Sequence, residues 1–339
     1  MERNMEQMNR KRKGIITIFA FVAVCVLLIL VLLWSVNEGS IELSASQLVK
    51  GLFIEYDDDV ATVYDLRFPR IIISLLVGAA LAVSGVLLQS VLKNPLTDPG
   101  IIGISGGASF TAVILTALLP RLFFLLPLAA FLGGLLAFFL VYSLSWKGGL
   151  SPLRIVLVGV AVSTMFSGLS SAINSMSGGN QSSVASIVNG SITMKTWDDV
   201  NIVLYYLPIF LVFALLVSGV CNLMALDDKT AQGIGLNVSR WRIAISLIAV
   251  VLASVSTAVA GVVSFVGLIV PHIARILVGN NHKVLIPFTI LLGALIFLTA
   301  DTIGRILAAP YEISASIVMA VAGGPFFIAL LRGRGNYGS

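Results

Sequence analysis

Asp301, in the run "LTADTIGRILAAPYEI", is a carboxylate set inside an apolar stretch. An acid at membrane depth is a candidate for proton transfer. Arg305 follows one helical turn later, so an internal ion pair is an equally natural role. The sequence offers no relay of buried acids around it, because Asp98 lies near the end of another run and Glu312 beyond a break. His272 and His282 are the two histidines, and with no cysteine close in sequence they make a poor zinc site. His272, directly after Pro271, reads instead as a hydrogen-bonding residue at a buried turn. Cys25 and Cys221 fall inside or at the edge of apolar runs and read as core filler, not as a disulfide or a metal pair. The expectation is a chain with no catalytic residue and no metal site. A phosphate-binding G-x-x-x-x-G-K-[ST] motif is absent, so any ATP-driven step requires an ATPase on another chain.

Backbone breaks are the second chemical signal. The stretch "GVLLQSVLKNPLTDPGIIGISGGASF", residues 85–110, passes from one apolar run to the next through Lys93, Asn94, Pro95, Asp98 and Pro99. Pro95 and Pro99 end the helix before them, and Asn94, Thr97 and Asp98 can bond the backbone groups thereby freed. Irregular backbone at membrane depth is tolerated where protein buries it or a cavity wets it. The knot therefore reads as scaffold of a solute pathway, or as an ordinary cytoplasmic turn leading into a tightly packed hairpin. Gly103 and Gly107, four apart, suit a close helix approach. A second break is expected over residues 258–283, at Gly261, Gly267 and Pro271.

The elements that position these residues must be membrane helices. The 339 residues are 58% hydrophobic and 11% charged, with a mean hydropathy of +1.03, which disfavours a soluble chain and excludes a disordered one. The net charge of +5 is dispersed at the ends of apolar runs, without the clustered basic groove that nucleic acid requires. Ten runs long enough to span are predicted near 15–34, 71–92, 101–120, 122–145, 155–174, 202–221, 243–262, 264–279, 284–304 and 313–331. The first follows a basic cluster but is longer than a signal core and lacks a cleavage site, so it reads as a retained span.

An even number of spans puts both termini on one side. With that side cytoplasmic, Lys50, Arg67, Arg70, Arg121, Lys195 and Arg305 lie outside and the other fifteen of the 21 Lys and Arg lie inside, in keeping with the positive-inside rule. The outer segment 35–68 carries "EYDDDV", a solvated connector, and "SASQLVKGLF", which suits a short interfacial helix. Residues 175–200 form a second polar outer segment. On the inside, "CNLMALDDKTAQGIGLNVSRWR", residues 221–242, has an amphipathic pattern fit for one or two small helices. It is longer than a plain connector needs, which allows a partner to dock there.

With these motifs in view, the chain resembles the permease subunits of iron-siderophore and vitamin B12 importers, the FecCD or BtuC-like family of type II ABC importers. The resemblance rests on "LRFPR" (66–70), "GAALAVSGVLLQSVLKNPLTDPGIIGISGGA" (78–108), "NLMALDDKTAQGIGL" (222–236), "GVVSFVGLIVPHIAR" (261–275), "DTIGR" (301–305) and "GGPFFIALL" (323–331), in family order along nearly the whole chain. It implies an all-α integral membrane protein of ten helices. The implied layout is a cytoplasmic basic N-terminus at 1–14, a single permease domain at 15–332 with a coupling region at 222–236, and a cytoplasmic tail at 333–339.

The resemblance further implies a multi-pass protein of the bacterial cell membrane, a second permease subunit, two cytoplasmic ATPase subunits holding ATP and Mg, and an extracytoplasmic siderophore-binding protein. Arg67, Arg70 and Arg305 match arginines that dock acidic lobes of that binding protein. Asn222, Leu223, Ala225, Leu226, Asp227, Asp228, Thr230, Ala231, Gly233 and Gly235 fall in the segment that meets the ATPase. Gln89, Asn94, Pro95, Asp98, Pro99, Gly100, Gly103, Gly107, Gly267, Pro271, His272 and Asp301 fall in its structural and pathway motifs. The chain departs from the family after Glu312, where "EISAS" places Ser314 and Ser316 at positions usually Pro and Gly. The expected function is import of a ferric siderophore. The alternatives are haem or cobalamin through the same machinery, or an ion-gradient-driven carrier.

Overall fold

A computed structural model describes residues 2–38, 64–145, 152–176, 182–308 and 311–334. It is all-α over these residues. Each of the ten apolar runs carries a helix: α1 (Glu2–Asn37), α2 (Phe68–Val91), α3 (Ile104–Leu118), α4 (Leu126–Ser145), α5 (Pro152–Met176), α7 (Trp197–Leu216), α10 (Val238–Ala260), α11 (Val266–Val278), α12 (His282–Leu307) and α13 (Ala315–Arg334). Three short helices lie between them: α6 (Ser182–Asn189), α8 (Ser218–Met224) and α9 (Asp228–Gly233). A 3-10 turn, Pro120–Leu125, leads into α4. Seven of the ten are long enough to cross a bilayer by themselves, and the helices of α3, α11 and α13 are shorter apolar ones. The interfacial helix and the acidic triplet expected between α1 and α2 lie outside the described residues.

The helices sort by burial. The apolar windows of α2 and α10 are 83% buried, whereas that of α1 is 11% buried, so α2 and α10 form the centre and α1 turns its side chains outward. A helix of Ile, Leu and Phe can do that only against lipid or another chain. α3, α4 and α5 pack together on one flank, and α11, α12, α1 and α13 on the other. α2 touches α12, α10, α11 and α7.

Glycine sets how closely these helices cross. A Cβ on Gly78 would strike the Gly293 carbonyl of α12, and one on Gly85 would strike the Gly267 backbone of α11. Gly107 of α3 and Gly133 of α4 meet in the same way. Where no cushion of side chains exists, the backbones themselves are in contact, as in small-residue membrane crossings.

Several boundaries differ from the sequence expectation. α7 begins at Trp197 and not near 202, because Thr196 and Asp199 form a capping box in which Asp199 Oδ2 accepts the Thr196 N–H at 3.1 Å. The predicted sixth span is interrupted at Val217, where α7 gives way to α8. The second break runs from Gly261 (φ 75°) to Phe265 (φ 69°), while Gly267 and Pro271 lie inside α11. His272 is accordingly a residue of a helix, edge-on to Phe326 at 5.7 Å, and not of a turn.

Candidate functional site

α2 carries a polar cluster at each end, about 36 Å apart for its 24 residues at 1.5 Å each. At its C-terminal end the helix closes in a left-handed turn: after the last helical bond, Leu92 N–H to Leu88 O at 2.9 Å, the Asn94 N–H reaches back to Gln89 O at 3.2 Å, the 6→1 bond of a Schellman motif. The left-handed position of that turn, usually glycine, is Lys93 with φ 48°. Asn94 Oδ1 then accepts the Leu96 N–H at 3.0 Å, and Asp98 Oδ1 accepts the N–H groups of Gly100 (2.8 Å) and Ile101 (3.3 Å). Asn94, Thr97 and Asp98 are all buried. The knot is thus a folded plug in which the Asn94 and Asp98 side chains satisfy backbone that lipid could not, whereas the buried Thr97 hydroxyl, expected to do the same, has no hydrogen-bond partner among the described residues.

Its neighbours hold it in place. Ser163 of α5 donates to Gly100 O at 3.0 Å. The Asp98 carboxylate faces Gly267, where a Cβ would lie 2.8 Å from Oδ2, so glycine there makes room for the acid. Pro271 has no N–H, so the Gly267 carbonyl four residues earlier loses its helical partner. Gln89 replaces it: Nε2 donates to Gly267 O at 3.1 Å and to Thr97 O at 3.1 Å. Arg275 Nη1 donates to the remaining Gln89 Oε1. Gln89, Pro95, Pro99, Gly100, Gly267 and Pro271 therefore belong to one construction at the crossing of α2 and α11.

The 222–236 segment packs below this knot as the two short helices α8 and α9. Ala231 is buried and anchors it, while Leu223, Ala225, Leu226, Asp227, Thr230, Gly233 and Gly235 are exposed. Lys93 Nζ donates to Leu226 O at 2.6 Å and to Asp228 Oδ1 at 2.7 Å. Arg242 Nη2 of α10 meets Asp228 Oδ2 at 3.1 Å. The Lys93 hydrogen bond, aided by Arg242, holds the Asp228 carboxyl below the usual carboxylate range. Asn222 bonds Asn281 Oδ1 at 2.8 Å and accepts the His282 N–H at 2.8 Å, tying α8 to the start of α12.

At the N-terminal end of α2 the charges differ. Arg70 is buried, and its Nε lies 3.0 Å from both oxygens of Asp301, with Nη2 2.8 Å from Oδ1. Its Nη1 reaches Glu312 Oε2 at 2.8 Å. Arg305 Nε stands 3.8 Å from Asp301 Oδ2, and its Nη2 bonds Ser35 Oγ at 2.6 Å. Arg67 Nη1 bonds Val36 O at 2.6 Å. Glu312 also accepts from Thr193 at 2.8 Å, and Ser316 Oγ reaches Gly190 O at 3.0 Å and Ser314 Oγ at 2.8 Å. Of the two serines that depart from the family pattern, Ser316 meets the turn after α6 and Ser314 braces Ser316.

The sequence pairs Asp301 with Arg305, and the structure adds Arg70 as its principal partner. Lys93, Arg242, Arg275 and Asn281 were not singled out from sequence as site residues. A proline four residues after Gly267 was the one available sign that a side chain must serve that carbonyl. Among the described residues no group of three or more His, Cys, Asp or Glu could hold a metal ion.

The model of the FecCD transport family matches residues 27–333. This chain belongs to the FecCD transport family. Within known proteins it is similar to the heme-iron transport system permease protein IsdF of Staphylococcus aureus strains MSSA476 and Newman, in each case 40% identical over 311 residues, 92% of this chain and 94% of the relative. Among solved structures it is similar to a metal-chelate type ABC transporter in an inward-facing conformation, at TM-score 0.77 and 30% identity, covering 93% of this chain and 99% of that one. PsaBC from Streptococcus pneumoniae in complex with Fab shares the fold at TM-score 0.58 and 17% identity, over 84% of this chain and 95% of that one. The family chain is a multi-pass membrane permease and not an enzyme.

Proposed function

We propose that this chain is the permease subunit of an ATP-driven importer of haem iron. The observation that carries the reading is the 40% identity to IsdF over almost the full length of both chains. It moves the substrate from the ferric siderophore expected first to the haem alternative. The working assembly would hold a second permease, two ATPase subunits with ATP and Mg, and an external haem-binding protein. Both termini would be cytoplasmic, with the Lys93 end of α2 inside and the Arg70 end outside.

In this reading the exposed face of residues 222–236 meets the ATPase and converts its closure into a change of access. At the other end Arg67, half-buried, would meet an acidic binding protein first, while Arg70 and Arg305, with side chains 8% and 11% exposed and turned onto Asp301, would chiefly hold that surface in shape. Rim charges of this kind chiefly steer and orient an encounter. A proton-driven carrier is disfavoured, because Asp301 is engaged by two arginines and does not stand as a free acid.

The test is uptake in proteoliposomes holding the permease, its ATPase and its binding protein, offered haem, ferric siderophores and cobalamin in parallel. Haem accumulation that needs ATP and the binding protein is the expected outcome. Uptake of a siderophore alone would return the substrate to the first expectation. Uptake driven by an ion gradient without ATP would overturn the importer reading.

A further inference from the structure

Lys93 occupies a backbone conformation that an L side chain adopts at a cost, at the helix-ending position where glycine is the usual solution. Strain of that kind persists where the surrounding structure uses it. The ammonium is spent on two atoms of the 222–236 segment, Leu226 O and Asp228 Oδ1, and Asp228 is held from its other oxygen by Arg242. One residue further along, Asn94 begins the plug that runs to Asp98 and on to Gly267. The knot and the 222–236 segment are thus joined at Lys93, while one helical turn earlier Ser90 Oγ of α2 donates to Cys221 O of α8 at 3.4 Å.

We propose that Lys93, with Asp228 and Arg242, forms a clasp that transmits movement of the 222–236 segment into the Asn94–Asp98 plug and so to the α2–α11 crossing. This rests on the importer reading above, and assigns Lys93 the role of a positioning residue within it. Without the clasp, α8 remains attached through buried Cys221 and Met224, the Ser90–Cys221 bond to α2 and the Asn222 bonds to Asn281 and His282, and α9 through Ala231, so what is lost is the direct link from Asp228 of α9 to the residue just before the plug. Loss of the clasp should therefore leave the ATPase docked and the fold intact while movement no longer reaches the plug. The side chains of Lys93 and Asp228 are 35% and 45% exposed, so their pairing contributes little to stability, and a large functional effect would not come from unfolding.

Lys93→Gly separates the two roles, since glycine relieves the backbone strain while removing the ammonium. Lys93→Arg retains a cation at the same place. In the full transporter, with ATPase and binding protein, Lys93→Gly should keep the parent's melting temperature and its copurifying ATPase. It should hydrolyse ATP yet transport about tenfold less substrate per ATP. Lys93→Arg should recover most of that ratio. A second readout does not depend on the substrate. Hydrogen exchange at the Leu96, Gly100 and Ile101 amides should change on trapping with ATP and vanadate in the parent, and stay unchanged in Lys93→Gly.

Parent-like transport per ATP in Lys93→Gly would overturn the clasp. So would loss of the ATPase from that variant, which would make Lys93 a docking contact, or a fall in melting temperature, which would make it a structural one. If the parent takes up no haem, the functional reading has failed on its own terms, and the exchange measurement on the ATPase complex decides the clasp separately.

Discussion

Arg70 shows how far one residue's role depends on partners that sequence spacing does not reveal. The i to i+4 rule joins Asp301 to Arg305, and that pair exists at 3.8 Å. The shorter bond, at 2.8 Å, comes from Arg70, 231 residues away in the chain, and no periodicity links the two. Removing one member of a buried ion pair leaves the other charge without compensation and costs about 3–5 kcal/mol. Arg70→Ala should therefore lower stability by that amount, measured as thermal or denaturant unfolding of the purified permease. Arg67→Ala, which removes the hydrogen bond to Val36 O and lies outside the buried Asp301 network, should cost less, about 1 kcal/mol. Equal and small costs for the two would show that the Arg70 network carries no structural weight. A combined Arg67 and Arg70 variant is consequently a poor probe of docking, because part of its effect would be unfolding.

At the scale of elements, the positions of the ten apolar helices were legible because lipid demands long uncharged apolar runs, and each such run has its helix, seven of them long enough to span by themselves. Their joints were less so. The capping box at Thr196 and Asp199 is a short polar pattern that the hydropathy of the following run masks. α6 is eight residues of mostly polar and small side chains, too short for a hydropathy signal. Pro271 was expected to break its helix, yet α11 continues through it because Gln89, from α2, serves the carbonyl that the proline abandons. That exchange is open to a double-mutant cycle. Gln89→Leu should destabilise the permease by about 1–3 kcal/mol by removing the hydrogen bonds to the Gly267 and Thr97 carbonyls. Pro271→Ala restores the N–H in the helix, so the double variant should lose less than the two single losses together, with a coupling of about 1 kcal/mol. Strict additivity would mean that Gln89 does not substitute for the missing helical bond.

Across the whole molecule, the backbone contacts at Gly78–Gly293 and Gly85–Gly267 join α2 to α12 and to α11. Side chains can change rotamer and let neighbouring helices slide, but two touching backbones have no such slack. Spin labels placed on α2 and α12 of the complete transporter should therefore report one unchanged distance distribution in nucleotide-free and ATP-bound states. A shift of several ångströms would refute the rigidity of this pair. The three helices would then travel as one rigid body, the unit that the Lys93 clasp moves as a whole, and a change in access falls to the borders between that body and helices with looser contacts. α1 presents most of its apolar surface outward, so it must drag surrounding acyl chains whenever it moves. Bilayer thickness and viscosity thereby enter the turnover rate, and the lipid becomes a working part of the machine.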